Sequence, residues 1–339
     1  MRPWRSQLGD WLQARWYQQA PVPWWLGGLE SLYRIALGLR RHAYASGWLR
    51  STRLAVPVLV VGNLTVGGTG KTPLVALLAR ELSDRAWRPG IVLRGYGAAG
   101  RARLLPPTAR PEEFGDEAVW LARTTGCPVA VGADRVGAAR LLIAQGCDLV
   151  LSDDGLQHWA LARDIEVLVI DGERRFGNGR LLPAGPLREP AQRAERVDYR
   201  VVNGGSAGVG EIPMRVAARV AVRLGELGPP LPLAHWRGQR VHAVAGIGHP
   251  ERYFRMLESL GLQVDRQPWP DHHRFDGSEC RFDDDAPVLV TEKDAVKLAQ
   301  FACDRVYAVP IELELPPPWI DQIQQTLFAI RATADDKTD

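Results

Sequence analysis

From residue 58 onward the chain alternates short, wholly apolar runs with stretches of helical periodicity. The apolar runs are Val58-Leu59-Val60-Val61, Gly90-Ile91-Val92-Leu93, Pro128-Val129-Ala130-Val131, Asp148-Leu149-Val150-Leu151 and Ile165-Glu166-Val167-Leu168-Val169-Ile170. Strands that are apolar on both faces belong in a sheet covered on both sides, and their alternation with helical segments predicts βαβ units. The expected fold class is therefore α/β, a mainly parallel sheet with helices on both faces. A loose stretch, Asn203-Gly204-Gly205-Ser206-Ala207-Gly208-Val209-Gly210, precedes a second set that includes Val241-His242-Ala243-Val244-Ala245-Gly246 and Ala286-Pro287-Val288-Leu289-Val290. This predicts a second, smaller α/β domain. The organisation expected is an N-terminal segment at 1–53, a first domain at 54–204, a second at 205–330 and a polar tail at 331–339.

The N-terminal segment has a different pattern. Leu26, Leu29, Leu32, Tyr33, Ala36 and Leu37 recur at helical spacing, with Glu30, Arg34 and Arg41 on the other side, which predicts an amphipathic helix. Six of the twelve tryptophans (Trp4, Trp11, Trp16, Trp24, Trp25, Trp48) lie within 1–53, beside eight arginines and only two acids, Asp10 and Glu30. Such a helix packs on its own domain or lies in a membrane interface, where Trp and Arg are favoured. Pro21, Pro23, Gly27 and Gly28 interrupt the best apolar stretch, so neither a spanning helix nor a signal peptide is expected.

Composition narrows the class. With 339 residues, 46% hydrophobic and 24% charged, the chain has the material for about two core-forming domains. Cys127, Cys147, Cys280 and Cys303 form no Cys-x-x-Cys pair, which argues against a zinc ribbon or a disulfide framework and fits a reducing cytoplasm. A net charge of +3 without a basic cluster or a recognisable module gives no reason to expect nucleic-acid binding.

The chemistry begins after the first strand. Gly62-Asn63-Leu64-Thr65-Val66-Gly67-Gly68-Thr69-Gly70-Lys71-Thr72 reads as strand end, glycine loop and the opening of a helix. Backbone N–H groups of Thr65, Val66, Gly67, Gly68, Thr69 and Gly70 are placed to cradle phosphate, Lys71 to reach the β- and γ-phosphates of a nucleotide, and the Thr72 hydroxyl to ligate Mg²⁺. The general consensus has glycine where this chain has Thr65. Lysine occurs only at Lys71, Lys293, Lys297 and Lys337 among 42 basic residues, so its presence at this position is informative. The run Asp148-Leu149-Val150-Leu151 ends in Ser152-Asp153-Asp154, the form of a Walker B strand whose carboxylates orient magnesium and its waters. Gly115-Asp116-Glu117 opens a helix, Asp271-His272-His273-Arg274 is a polar cluster, and residues 176–189 are rich in Gly and Pro, as ordered functional loops are.

Taken together these strings resemble the tetraacyldisaccharide 4'-kinases of lipid A biosynthesis. The resemblance rests on the phosphate loop with Pro73, Arg94-Gly95-Tyr96-Gly97, Gly115-Asp116-Glu117, Asp153-Asp154-Gly155-Leu156-Gln157-His158, Phe176-Gly177-Asn178-Gly179, Leu182-Pro183-Ala184-Gly185-Pro186-Leu187-Arg188-Glu189, Gly246-Ile247-Gly248 with Pro250, Asp271-His272 and Thr291-Glu292-Lys293-Asp294-Ala295-Val296-Lys297. It extends from the amphipathic N-terminus to about Lys297, and this family uses Ser or Thr at the Thr65 position.

The resemblance implies a P-loop NTPase-like fold and ATP- and Mg²⁺-dependent phosphorylation of the 4'-hydroxyl of an acylated glucosamine disaccharide. The enzyme it implies is peripheral, on the cytoplasmic face of the bacterial inner membrane, with no obligate protein partner. Asp116 then looks like the general base and His272 its support from across a domain cleft; Glu117, with Asp153 and Asp154, looks like the carboxylate set around magnesium; Arg94, Gln157, His158, Asn178 and Arg188 look like contacts to disaccharide or phosphates. Two other classes share the loop: an ATPase or nucleotide switch in which Gln157 places a water, and a soluble small-molecule kinase whose aromatic N-terminus is core packing.

Overall fold

The computed structural model describes residues 4–18, 20–95, 101–225, 229–271, 273–301 and 305–335. Two helices, α1 (Trp4–Tyr17) and α2 (Trp24–Ala45), precede β1 (Val58–Gly62), α3 (Lys71–Asp84), β2 (Pro89–Leu93) and β3 (Arg103–Leu104). There follow α4 (Pro111–Phe114), α5 (Asp116–Thr125), β4 (Val129–Val131), α6 (Arg135–Ala144), β5 (Leu149–Asp153), β6 (Ile165–Asp171), β7 (Tyr199–Asn203) and β8 (Ile212–Ala217). The smaller unit contains β9 (Val220–Arg223), β10 (Leu231–Pro232), β11 (Arg240–Ala245), α7 (Pro250–Ser259), β12 (Gln263–Pro268), β13 (Val288–Thr291), α8 (Glu292–Leu298) and β14 (Val306–Val309). The chain then forms β15 (Glu312–Glu314) and α9 (Pro317–Asp335).

The larger sheet runs β15-β8-β7-β6-β1-β5-β2-β4-β3. Strands β8 through β4 in that order are parallel, and only the edges β15 and β3 are antiparallel. The alternation along β1 explains its burial on both faces. Leu59 and Val61 pack into a core with α3, α5 and α9, while Val58 and Val60 face a second core with Ala138, Ala139 and Leu142 of α6. From β1 the chain crosses to one side through α3, and from β5 to the other at β6, so the carboxyl end of β1 is a topological switch point where ligands bind in such sheets.

The second sheet, β10-β9-β14-β13-β11-β12, is parallel through its last four strands. The boundary expected between 204 and 205 falls between β7 and β8, which are parallel neighbours in the larger sheet. The chain leaves that sheet only after Ala217, and it returns as β15 and as α9, whose Trp319, Ile320, Ile323 and Leu327 are buried in the first core. The smaller unit is thus inserted into the larger, the chain leaving after β8 and returning at its neighbour β15.

The amphipathic pattern near the N-terminus does form a helix. On α2 only Leu26 and Glu30 are buried, and Trp24, Leu32, Ile35 and Leu39 are 60–89% exposed along one stripe. Glu30 anchors the helix: its carboxylate accepts hydrogen bonds from Arg180 Nε at 2.8 Å and the Leu181 amide at 3.1 Å. The Tyr33 hydroxyl donates to the Arg188 carbonyl at 2.8 Å. Among the described residues no helix is long and apolar enough to cross a membrane.

Candidate active site

The phosphate loop joins β1 to α3 and is held from two sides. The Val66 amide donates to the Pro186 carbonyl at 2.9 Å, and Thr65 bridges Leu187, so the loop takes an extended pairing at the position where the general consensus has glycine. Asn203, at the end of β7, donates from Nδ2 to the Thr69 carbonyl at 2.9 Å. Gly70 precedes α3 with φ +92°, and a Cβ there would lie 2.5 Å from Asn203 Nδ2, so both backbone and space require glycine.

Lys71 and Thr72 open α3 facing the end of β5. The Thr72 hydroxyl donates to Asp153 Oδ2 at 2.8 Å, while Asp153 Oδ1 is buried with no hydrogen-bond partner among the described residues. Burial, reinforced by the nearby Glu117 carboxylate, pushes the Asp153 carboxyl up to about 6. Asp154, expected among the magnesium carboxylates, pairs with cations: Lys71 Nζ lies 3.6 Å away and Arg188 Nη1 donates to both its oxygens at 2.9 Å. Burial would raise its carboxyl, but Lys71 and Arg188 outweigh that and hold it below its ordinary value. Asp154 has φ +48°, uncommon outside glycine, and a buried arginine supports that turn. Arg135 donates to Ser152 Oγ at 2.9 Å and to the Asp153 carbonyl at 2.6 Å.

A second acidic group stands opposite. Asp116 and Glu117 begin α5, where the helix dipole favours carboxylates. Asp116 Oδ1 accepts the Glu117 amide at 3.0 Å; Asp116 Oδ2 lies 3.6 Å from both Lys293 Nζ and Lys297 Nζ, which come from α8 of the smaller unit. Lys293 also reaches Glu117 at 3.1 Å and Asp271 at 3.3 Å. Burial would lower its ammonium, but the three acids hold it well above the ordinary lysine value. The two units also meet at the phosphate loop, since a Cβ on Gly248 would lie 3.4 Å from the Gly68 amide nitrogen.

The remaining expected contacts divide. Arg94 is exposed at the end of β2, and His158 is half-buried, its imidazole lowered to about 4 by burial and by Arg135, Arg163 and Arg40. Gln157 donates to the Asn63 carbonyl at 3.1 Å and to Glu189 at 2.9 Å and accepts from Arg188 at 3.3 Å, so its amide braces the loop. Asn178 is similarly engaged, donating to the Ala184 and Arg15 carbonyls and accepting the Arg180 amide. His272 lies outside the described residues; its neighbour His273 is held by Glu279 at 2.6 Å and stacks on Trp269. Lys293, Lys297, Arg135 and Asn203 have roles here that their sequence context alone does not assign. For the lysines a signal existed: three of the four in the chain meet at this site.

The donor set suits magnesium. Mg²⁺ typically takes one or two carboxylates together with waters and phosphate oxygens, so it does not need a cage of protein ligands. Among the described residues no group of three or more His, Cys, Asp or Glu forms such a cage. Thr72 Oγ1 and the unpartnered Asp153 Oδ1, with Glu117 near, are the kind of partial shell a nucleotide-bound magnesium completes.

A strand, phosphate loop and helix at a switch point, with one acid pair at a neighbouring strand end and another facing it, define a P-loop phosphotransferase. The LpxK family model, described as tetraacyldisaccharide-1-P 4'-kinase, matches residues 22–328, and the chain belongs to that family. A tetraacyldisaccharide 4'-kinase from Xanthomonas euvesicatoria pv. vesicatoria is 47% identical, the match covering 94% of this chain and 97% of that one. Another from Nitrosococcus oceani is 48% identical over 92% and 93% of the two chains. The crystal structure of the "apo" form of LpxK from Aquifex aeolicus in complex with ATP superposes with a TM-score of 0.74 at 27% identity, covering 90% of this chain and 98% of that one.

Proposed function

We propose that this tetraacyldisaccharide 4'-kinase of lipid A biosynthesis divides its work between two faces of one cleft. Lys71 and the amides of residues 65–70 hold the β- and γ-phosphates of ATP, and Arg188, paired with Asp154, fixes the loop beneath them. Thr72, Asp153 and Glu117 hold magnesium, which when bound neutralises charge on the phosphates. Asp116 accepts the proton of the 4'-hydroxyl as its oxygen attacks the γ-phosphorus in line, and ADP leaves from the opposite side. His272 supports Asp116 from the smaller unit. A single observation supports this reading: Asp116 and Glu117 open α5, an element separate from the one that carries Lys71 and Thr72, and the Glu117 carboxylate is near enough to Asp153 to help raise its carboxyl. Arg94 and His158 contact the disaccharide, His158 as a neutral imidazole at pH 7 given its lowered value.

The acceptor's acyl chains favour a lipid surface by about 0.8 kcal/mol per CH₂, so the enzyme must reach them there. The exposed stripe Trp24, Leu32, Ile35 and Leu39, with Arg34 and Arg41 on the same helix, supports α2 as the part that lies in the membrane interface. The enzyme is then peripheral, on the cytoplasmic face of the bacterial inner membrane, where ATP is available. The test is product analysis: ATP, magnesium and a tetraacylated disaccharide 1-phosphate in mixed micelles should give one new phosphomonoester at the 4' position. Phosphorylation at another hydroxyl, or turnover unaffected by EDTA, would contradict the assignment.

A further inference from the structure

The described groups that hold Asp116 come from opposite sides of the cleft. Oδ1 is tied to its own helix through the Glu117 amide, whereas Oδ2 faces two ammonium groups of α8. The terminal torsion of an aspartate is broad and nearly free, so one hydrogen bond does not decide which lone pair meets the substrate. A second fixed point does.

Of the two lysines, Lys293 is shared among Asp116, Glu117 and Asp271 at 3.1–3.6 Å. Lys297 is fixed more narrowly. Its ammonium lies 2.8 Å from Asp294 Oδ1, over the Phe275 ring at 4.9 Å and 3.4 Å from the His273 carbonyl. Asp294 has no solvent exposure, and its other oxygen accepts the Gly246 amide at 2.8 Å and the Thr291 hydroxyl at 2.7 Å. A buried carboxylate held by two donors is a rigid post, and the lysine it carries reaches across the interface to Asp116.

We infer that Lys297, braced by Asp294, is the positioning residue that orients the Asp116 carboxylate for proton acceptance from the acceptor hydroxyl. This rests on the reading of Asp116 as the base. Because α8 belongs to the smaller unit and Asp116 to the larger, the orientation of the base depends on the two units being together. Proton acceptance is thereby tied to a closed cleft, where water is excluded.

The test compares K297M, K297R, D294N and D116A in single-turnover and steady-state transfer of γ-phosphate to the lipid acceptor. For K297M, kcat is expected to fall ten- to a hundredfold with KM for ATP and acceptor within twofold, and K297R is expected to recover a substantial part. D294N keeps an acceptor for Gly246 and Thr291 but loses the ion pair, so its kcat falls in the same direction and carries the test if K297M does not fold. On a D116A background K297M should cause no further loss. Wild-type kcat in folded K297M and D294N, or rises in both KM values matching the loss of kcat without rescue by K297R, would overturn the inference. The two readings separate cleanly: active D116A would refute Asp116 as base, whereas inactive D116A beside fully active K297M would refute only the lysine's role.

Discussion

Asp153→Asn is expected to stabilise the metal-free protein while abolishing catalysis. Asp153 is wholly buried, and its carboxyl rises from 3.8 to about 6 on folding, chiefly through burial and secondarily through Glu117. A raised carboxyl means the folded state binds the proton more tightly than the unfolded chain. Its contribution is therefore most favourable below pH 3.8, declines between about pH 4 and 6, and above pH 6 stays unfavourable by a constant amount. At ~1.4 kcal/mol per unit the shift corresponds to roughly 3 kcal/mol at neutral pH, an upper figure. Asparagine keeps an acceptor for the Thr72 hydroxyl and never ionises. The assay is thermal or urea unfolding of both proteins in EDTA from pH 4.5 to 8. The mutant's advantage should grow as pH rises to about 6 and then level off, reaching several degrees in Tm at roughly 2–4 °C per kcal/mol for a domain of this size. A mutant less stable than wild type at pH 8, or a difference independent of pH, would refute the reasoning.

Three further outcomes follow from the same geometry. Lys71→Ala should lower kcat on the order of 10²-fold or more with the fold intact, measured as phosphate transfer alongside circular dichroism. Gly70→Ala combines a φ of +92° with a Cβ 2.5 Å from Asn203 Nδ2, so it should weaken ATP binding sharply and destabilise by about 1–3 kcal/mol, read by nucleotide titration and melting. The pair Leu32→Glu and Ile35→Glu lies on the exposed stripe of α2; it should cut co-sedimentation with liposomes severalfold while leaving Tm nearly unchanged, and undiminished liposome binding would rule out this helix as the interface.

What the sequence made legible was local. The strands β1, β2, β4, β5 and β6 are short apolar runs that can only be buried, and the phosphate loop follows directly from its glycines, Lys71 and Thr72. Sequence separation hid the rest. Nothing in residues 312–335 announces that β15 and α9 return to the first core, because an apolar helix face does not name its partner. Lys293 and Lys297 acquire meaning only when α8 is brought against α5, some 176 residues earlier in the chain. Asn178 and Gln157 looked available for substrate because they are polar residues in functional-looking strings. In the fold the Asn178 amide donates to the Ala184 carbonyl within the Gly- and Pro-rich loop, and the Gln157 amide donates to the Asn63 carbonyl at the start of the phosphate loop, backbone acceptors that have no secondary-structure partner.

The central claim is that Asp116 takes the proton of a lipid hydroxyl while the phosphate loop holds ATP, and partition of label tests it most directly. With γ-labelled ATP and a tetraacylated disaccharide 1-phosphate in mixed micelles, wild type should place nearly all transferred phosphate on lipid. Asp116→Ala should bind ATP with unchanged affinity and label almost no lipid. Equal lipid labelling by the two proteins, or phosphate released to water with none on lipid in either, would contradict the account.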